Sequence, residues 1–102
     1  MNKQDVAMIG FEIVSYSGEA RSNYISALKN VKEGGDTETT NQLIDKANES
    51  ITRAHKSQTK LLAAEAAGED LELGFIFVHG QDHLMTTLLL RDILEDLMNI
   101  YK

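Results

Sequence analysis

Apolar positions recur at spacings of three and four along most of this chain, and the pattern breaks at two places. Val6, Ile9, Ile13, Val14, Tyr16, Ala20, Tyr24, Ala27, Leu28 and Val31 trace one side of a first helix. Leu43, Ile44, Ala47, Ile51, Ala54, Leu61 and Leu62 trace a leaner second one, with charges and hydroxyls opposite. Gly34-Gly35 and Gly68 stand where these stretches stop. Asp36 is placed to cap the helix after the first pair, and Asp70 to cap the one after Gly68-Glu69. The pattern predicts three helices over residues 4–33, 37–67 and 70–101, with short connections that make neighbours antiparallel. No proline interrupts them, and no strand-like alternation or internal repeat is present.

The third helix departs from the pattern of the other two. Its second half has a clear polar side in Arg91, Asp92, Glu95, Asp96 and Asn99. In its first half Phe75, Ile76, Phe77, Val78, Leu84, Met85, Leu88 and Leu89 point in nearly every direction. A helix that is apolar all round is buried all round, which a three-helix monomer cannot achieve. Further copies of the chain are the expected cover.

Into that apolar stretch the sequence inserts His79, Gln81, Asp82 and His83. Spacings of three and four place His79, Asp82 and His83 on one face, continued by Leu90, Ile93, Leu94, Leu97 and Tyr101. The face reads as core or interface, where ionisable groups are costly unless paired or used. A lone histidine on such a face is more often a hydrogen-bonded core residue than a catalyst, but two with an aspartate weaken that reading. Gln81 falls on the far side, and His55, among Arg53, Lys56 and Lys60, reads as a surface residue.

Composition narrows the chemistry. The chain has 102 residues, enough for one domain over 1–102, and neither cysteine nor tryptophan. Disulfides and thiolate chemistry are excluded, so nitrogen and oxygen groups must do the work. A net charge of -6 argues against nucleic acid and anionic lipid as partners. No apolar run nears the roughly 18 residues of a membrane span, and Met1 to Asp5 lacks the order of a signal peptide. The cytosol is the expected location.

Three roles fit the cluster. One is a metal site, since His at i and i+4 beside a carboxylate suits zinc, although the H-E-x-x-H pattern is not met. The second is a phosphoryl relay, in which neutral imidazole is the nucleophile and a second imidazole supports the transferred group. With no phosphate-binding glycine motif, phosphate would come from a partner protein. The third is a helical adaptor whose polar groups only fix the register of an assembly.

The stretch Val78-His79-Gly80-Gln81-Asp82-His83-Leu84-Met85-Thr86 resembles the signature of the IIA components of the lactose/cellobiose (chitobiose)-type bacterial sugar phosphotransferase system, which usually reads V-H-A-Q-D-H-L-M. Met8 to Val14, with Gly18, Ala20 and Arg21, is similar to that family's first helix, and Ala54 to Thr59 to its second. The resemblance implies a three-helix bundle assembled as a homotrimer. It implies that His79 accepts a phosphoryl group from the phosphocarrier HPr and passes it to a cysteine of the IIB component, which serves the membrane component IIC. It further implies that His83 supports the phosphoryl group. Asp82 would meet its symmetry mates on the trimer axis around one divalent cation, with magnesium favoured by an all-oxygen site. Gly80 replaces the usual alanine. Glycine inside a helix costs about 1 kcal/mol, so Gly80→Ala is expected to raise stability.

Overall fold

The computed structural model describes residues 1–102 as three helices and no strands. They are α1 (Lys3–Lys32), α2 (Thr37–Ala66) and α3 (Phe75–Ile100), forming a rod of 50 × 19 × 19 Å. Each break in the apolar pattern has a physical cause. Gly34 and Gly68 sit at φ +76° and +89°, in the left-handed region where a Cβ is penalised. Asp36 caps α2 by accepting the Thr39 N–H at 2.7 Å, and hydrogen bonding from the Thr39 side chain, then from this N–H, holds its carboxyl below the ordinary range. Asn2 and Asp5 close a reciprocal cap at the start of α1.

The third helix begins at Phe75, later than the expected residue 70. Asp70 is therefore not its cap; Gly74 holds that position and contributes no side-chain bond. Residues 69–74 form a connector with tertiary contacts of its own. The Glu72 carboxylate accepts the Lys3 N–H at 3.1 Å, and the Glu69 carboxylate takes the Met1 ammonium, so the connector serves the free N–H end of α1. Leu71 and Leu73 line a hollow with Leu61 and Phe77 instead of joining a helical face.

α1 lies between its partners and packs against both, while α2 and α3 barely meet. It runs antiparallel to α2, as the Glu12–Ser57, Tyr24–Asn48 and Asn30–Thr40 hydrogen bonds show. It runs parallel to α3, from Lys3 beside Gly74 to Lys32 over the Tyr101 ring. The core contains Val6, Ile13, Tyr24, Ile51 and Leu84, with small residues such as Ala20, Ala47 and Ser17 between them.

Gly80 sits at a close α1–α3 approach, opposite Gly10. A Cβ on Gly80 would stand 2.9 Å from the Gly10 carbonyl oxygen and 3.3 Å from Ile13 Cβ. One on Gly10 would stand 2.9 Å from Phe77 Cα. The crossing thus explains the glycine, and the expectation from propensity alone changes sign. A chain with alanine here would have to set the helices further apart, and overpacking costs about 1–3 kcal/mol against a propensity gain of about 1. Gly80→Ala is expected to lower the melting temperature by a few degrees and Gly10→Ala by more. Thermal unfolding followed by circular dichroism checks both, and a rise for Gly80→Ala would contradict the tight crossing.

Candidate functional site

α3 presents its buried side, Gly80, Leu84, Thr87, Leu94 and Met98, to the rest of the bundle. The opposite side stays open. Phe75, Val78, Met85 and Leu89 are 85, 56, 56 and 61 % exposed, and Ile93 and Ile100 extend the line. Their spacing of three and four residues makes one stripe along the helix, a seam of the kind that packs against other helices. Asp82 lies in the middle of it, and no cation of the chain pairs with its carboxylate. Met8 and Phe11 on α1 add to the uncovered apolar surface.

His79 and His83 stand on the flank of that stripe. In the single chain His79 and Asp82 are exposed and His83 half-buried, so the reading of this face as core is corrected. The reason is the one-sided packing of α3, which puts the cluster at the border between covered and uncovered surface. Of the residues expected to continue the face, Leu94 is buried, Leu90 and Leu97 half-buried, and Ile93 and Tyr101 exposed.

The two imidazoles form a pair. Their ring centroids are 4.3 Å apart with planes at 62°, an edge-on arrangement that one helical turn provides. His83 Nδ1 lies 3.2 Å from the His79 carbonyl oxygen. A carbonyl only accepts, so Nδ1 carries the proton in this bond and Nε2 is left for other partners. On the other side Phe75 stacks on His79 with centroids 6.5 Å apart and planes at 10°. An exposed imidazole held between an aromatic ring and a second imidazole is accessible, oriented and nucleophilic when neutral.

Other residues take places that sequence reasoning did not assign. Gln81 is half-buried and accepts a hydrogen bond from Gln58 Nε2 at 3.2 Å, tying α3 to α2 rather than facing solvent freely. His55 is exposed, as expected, beside Lys56, Leu88 and Arg91 in a cleft between α2 and α3. Arg21 on α1 shares a cleft with Asp82 and His83. Phe75 precedes His79 by four residues, so helical spacing alone could have found it; nothing local in the sequence points to Arg21. No three His, Asp or Glu residues of one chain converge to hold a metal ion, so a zinc site of the H-x-x-x-H type is short of ligands here.

A family model described as "PTS system, Lactose/Cellobiose specific IIA subunit" matches residues 8–102. The chain belongs to this family. A lactose-specific EIIA component of Staphylococcus epidermidis is 50 % identical over 102 residues, spanning 100 % of this chain and 97 % of that one. Its counterpart in Streptococcus mutans is 47 % identical over the same span, again with 97 % of the relative covered. The crystal structure of PtcA from S. mutans superposes with a TM-score of 0.91 at 36 % identity, covering 99 % of this chain and 98 % of that one. The cellobiose-specific enzyme IIA of Bacillus anthracis gives 0.86 at 34 % identity, over 92 % and 85 %. As an IIA subunit the chain has a phosphoryl-transfer role in sugar uptake. No helix is long and apolar enough to cross a membrane.

Proposed function

We propose that the chain is a phosphohistidine carrier, accepting a phosphoryl group from phospho-HPr on His79 and delivering it to a cysteine of IIB in the cytosol. The observation that carries this reading is the His79–His83 pair, one imidazole exposed and the other pinned through Nδ1 one turn away. In the first step the lone pair of the unprotonated His79 nitrogen forms a bond to phosphorus. The donor's N–P bond breaks, and its electron pair returns to the donor imidazole, which recovers a proton from solvent. In the second step a thiolate of IIB forms an S–P bond while the N–P bond on His79 breaks and returns its pair to the ring. Both are in-line displacements whose barriers fall mainly through positioning and charge neutralisation. His83 serves as the supporting imidazole, its Nε2–H donating to the phosphoryl group when the ring is protonated. IIB would serve the membrane component IIC, which holds the sugar.

The working unit is a homotrimer in which the α3 stripes meet on a threefold axis. Asp82 fits a divalent cation there: its carboxylate has no partner of its own and sits within an apolar seam, where three like charges would repel. Three carboxylates and water would make an all-oxygen site that suits Mg2+, with one ion per trimer neutralising the interface. No step of the transfer runs through that ion.

Incubation with phosphoenolpyruvate, enzyme I and HPr is expected to add one acid-labile phosphoryl group per chain, read by intact mass. A chain that stays unmodified beside a competent donor would overturn the assignment.

A further inference from the structure

Charge is unevenly spread along this chain. The net charge is -6, yet from Ser50 to Ala64 there is no aspartate or glutamate. Arg53, His55, Lys56 and Lys60 all fall within that stretch of α2. Cations gathered on one side of a protein repel one another and attract anions from solution. The phosphoryl relay gives this group no task.

The fold turns part of the stretch into a cleft. Because α2 and α3 barely meet, a hollow of about 380 Å³ opens between them, lined by Ile51, Thr52, His55, Lys56, Leu88 and Arg91. Each helix contributes one permanent cation, Lys56 from α2 and Arg91 from α3, and no carboxylate lines the hollow. Ile51 is buried and Leu88 half-buried, so the base of the cleft is apolar. Arg91 lies about 160° round α3 from Leu89 at 3.6 residues per turn, so a seam along the exposed stripe leaves the cleft open.

These donors are available. Lys56 and the His55 ring make no ion pair within the chain. Arg91 reaches the neighbouring Asp92 carboxylate through Nε alone, at 3.5 Å, and an exposed pair of that kind is worth little. Its terminal nitrogens stay free. The Thr52 hydroxyl donates to the Asn48 carbonyl at 2.8 Å and has no proton left to give. A guanidinium and an ammonium are donors only, and their two charges match a doubly charged phosphate. The cleft spans little more than one turn of each helix, which fits a small molecule rather than a helix of a partner.

We infer that the α2–α3 cleft is a second binding site, for a small phosphate monoester of the sugar phosphate class. Lys56, Arg91 and a ring N–H of His55 meet the phosphate oxygens, and the apolar face of the sugar ring lies on Ile51 and Leu88. Neither His79 nor His83 lines this cleft, so the site is separate from the histidine pair and does not rest on the carrier reading. No covalent bond forms or breaks there. A role that joins phosphoryl transfer to sugar uptake fits a ligand of this class.

The test follows the His55 ring signals of the full-length chain by NMR, assigned with His55→Gln. Inorganic phosphate, glucose 6-phosphate and glucose are titrated in turn at fixed ionic strength. Saturable shifts are expected with both phosphates, with a dissociation constant on the order of 1 mM for the ester, and none with glucose. The ester is expected to bind roughly three- to tenfold tighter than inorganic phosphate, because its ring covers apolar surface. Lys56→Gln and Arg91→Gln should each weaken binding roughly tenfold. Both side chains are exposed, so circular dichroism should show the wild-type helix content in each variant. Shifts that never saturate, or that sodium chloride reproduces, would reflect ionic strength alone and overturn the inference. Wild-type affinity in either variant would overturn it as well, as would shifts at His79 and His83 with His55 unmoved. Equal affinity for inorganic phosphate and the ester would remove the assignment to a sugar phosphate. Labelling of His79 tests the carrier reading separately from all of these.

Discussion

His79→Ala is expected to abolish phosphoryl acceptance, leaving no phosphorylated species in the mass spectrum after prolonged incubation with phosphoenolpyruvate, enzyme I and HPr. The expected effect is total because no thiol exists to substitute, and the other two histidines are not equivalent nucleophiles. His83 is half-buried and bound through Nδ1 to the His79 carbonyl. His55 lies in a different cleft, beside Leu88 and Arg91. Loss of a supporting donor should be milder. His83→Ala is expected to accept the group at a rate lower by roughly 10²–10³, the range found on removing one stabilising donor. His55→Ala should behave as wild type. Substantial labelling of His79→Ala, or a complete block in His55→Ala, would show that the acceptor has been misassigned. The fold itself should survive the His79 change, since the side chain is exposed and contributes only its stacking on Phe75 and His83.

The second large effect concerns assembly. Leu89 is 61 % exposed in the single chain, so Leu89→Asp is expected to leave the helical content of one chain nearly unchanged. In the proposed trimer the same change places three carboxylates in an apolar seam with no counter-charge, at a cost of several kcal/mol each. Light scattering should therefore show three subunits for wild type and one for Leu89→Asp. Asp82→Leu should do the opposite: it removes the like-charge repulsion and extends the seam, giving a trimer that persists with a chelator present. Wild type is expected to loosen under the same chelator, because its three carboxylates lose their neutralising ion. A monomeric wild type would contradict the reading of the α3 stripe. Dissociation of Asp82→Leu would show that Asp82 does more than face a cation.

Much of this was legible along the chain because helices report themselves locally. Spacings of three and four, the glycines at positive φ and the Asp36 cap depend on neighbouring residues, and α1 and α2 agree with expectation to within a residue at each end. The failure at the start of α3 has a different character. Residues 70–74 form a connector whose contacts are remote in sequence and adjacent in space, with Glu72 accepting the Lys3 N–H and Leu71 and Leu73 beside Leu61.

The site divides along the same line. His79, Asp82 and His83 were legible because four residues make one helical turn, and the all-apolar surroundings of α3 called for further cover. The choice between core and interface was left open because helical spacing says which residues share a face but not which face the bundle covers, and the bundle leaves His79 and Asp82 exposed. Gly80 was read as a cost to its helix, since propensity is a property of one helix, whereas the Gly10–Gly80 approach belongs to two.

By itself the sequence determined three helices, an imidazole pair one turn apart and a surplus of apolar surface on α3, all consequences of short-range periodicity. Only the tertiary structure decided that α1 lies between α2 and α3, that glycines let α1 and α3 touch, and that the histidine pair stands at the edge of the uncovered stripe with Arg21 across the cleft from His83. Those relations join residues about 60 to 70 positions apart. Packing between helices sets them, and no local pattern encodes it.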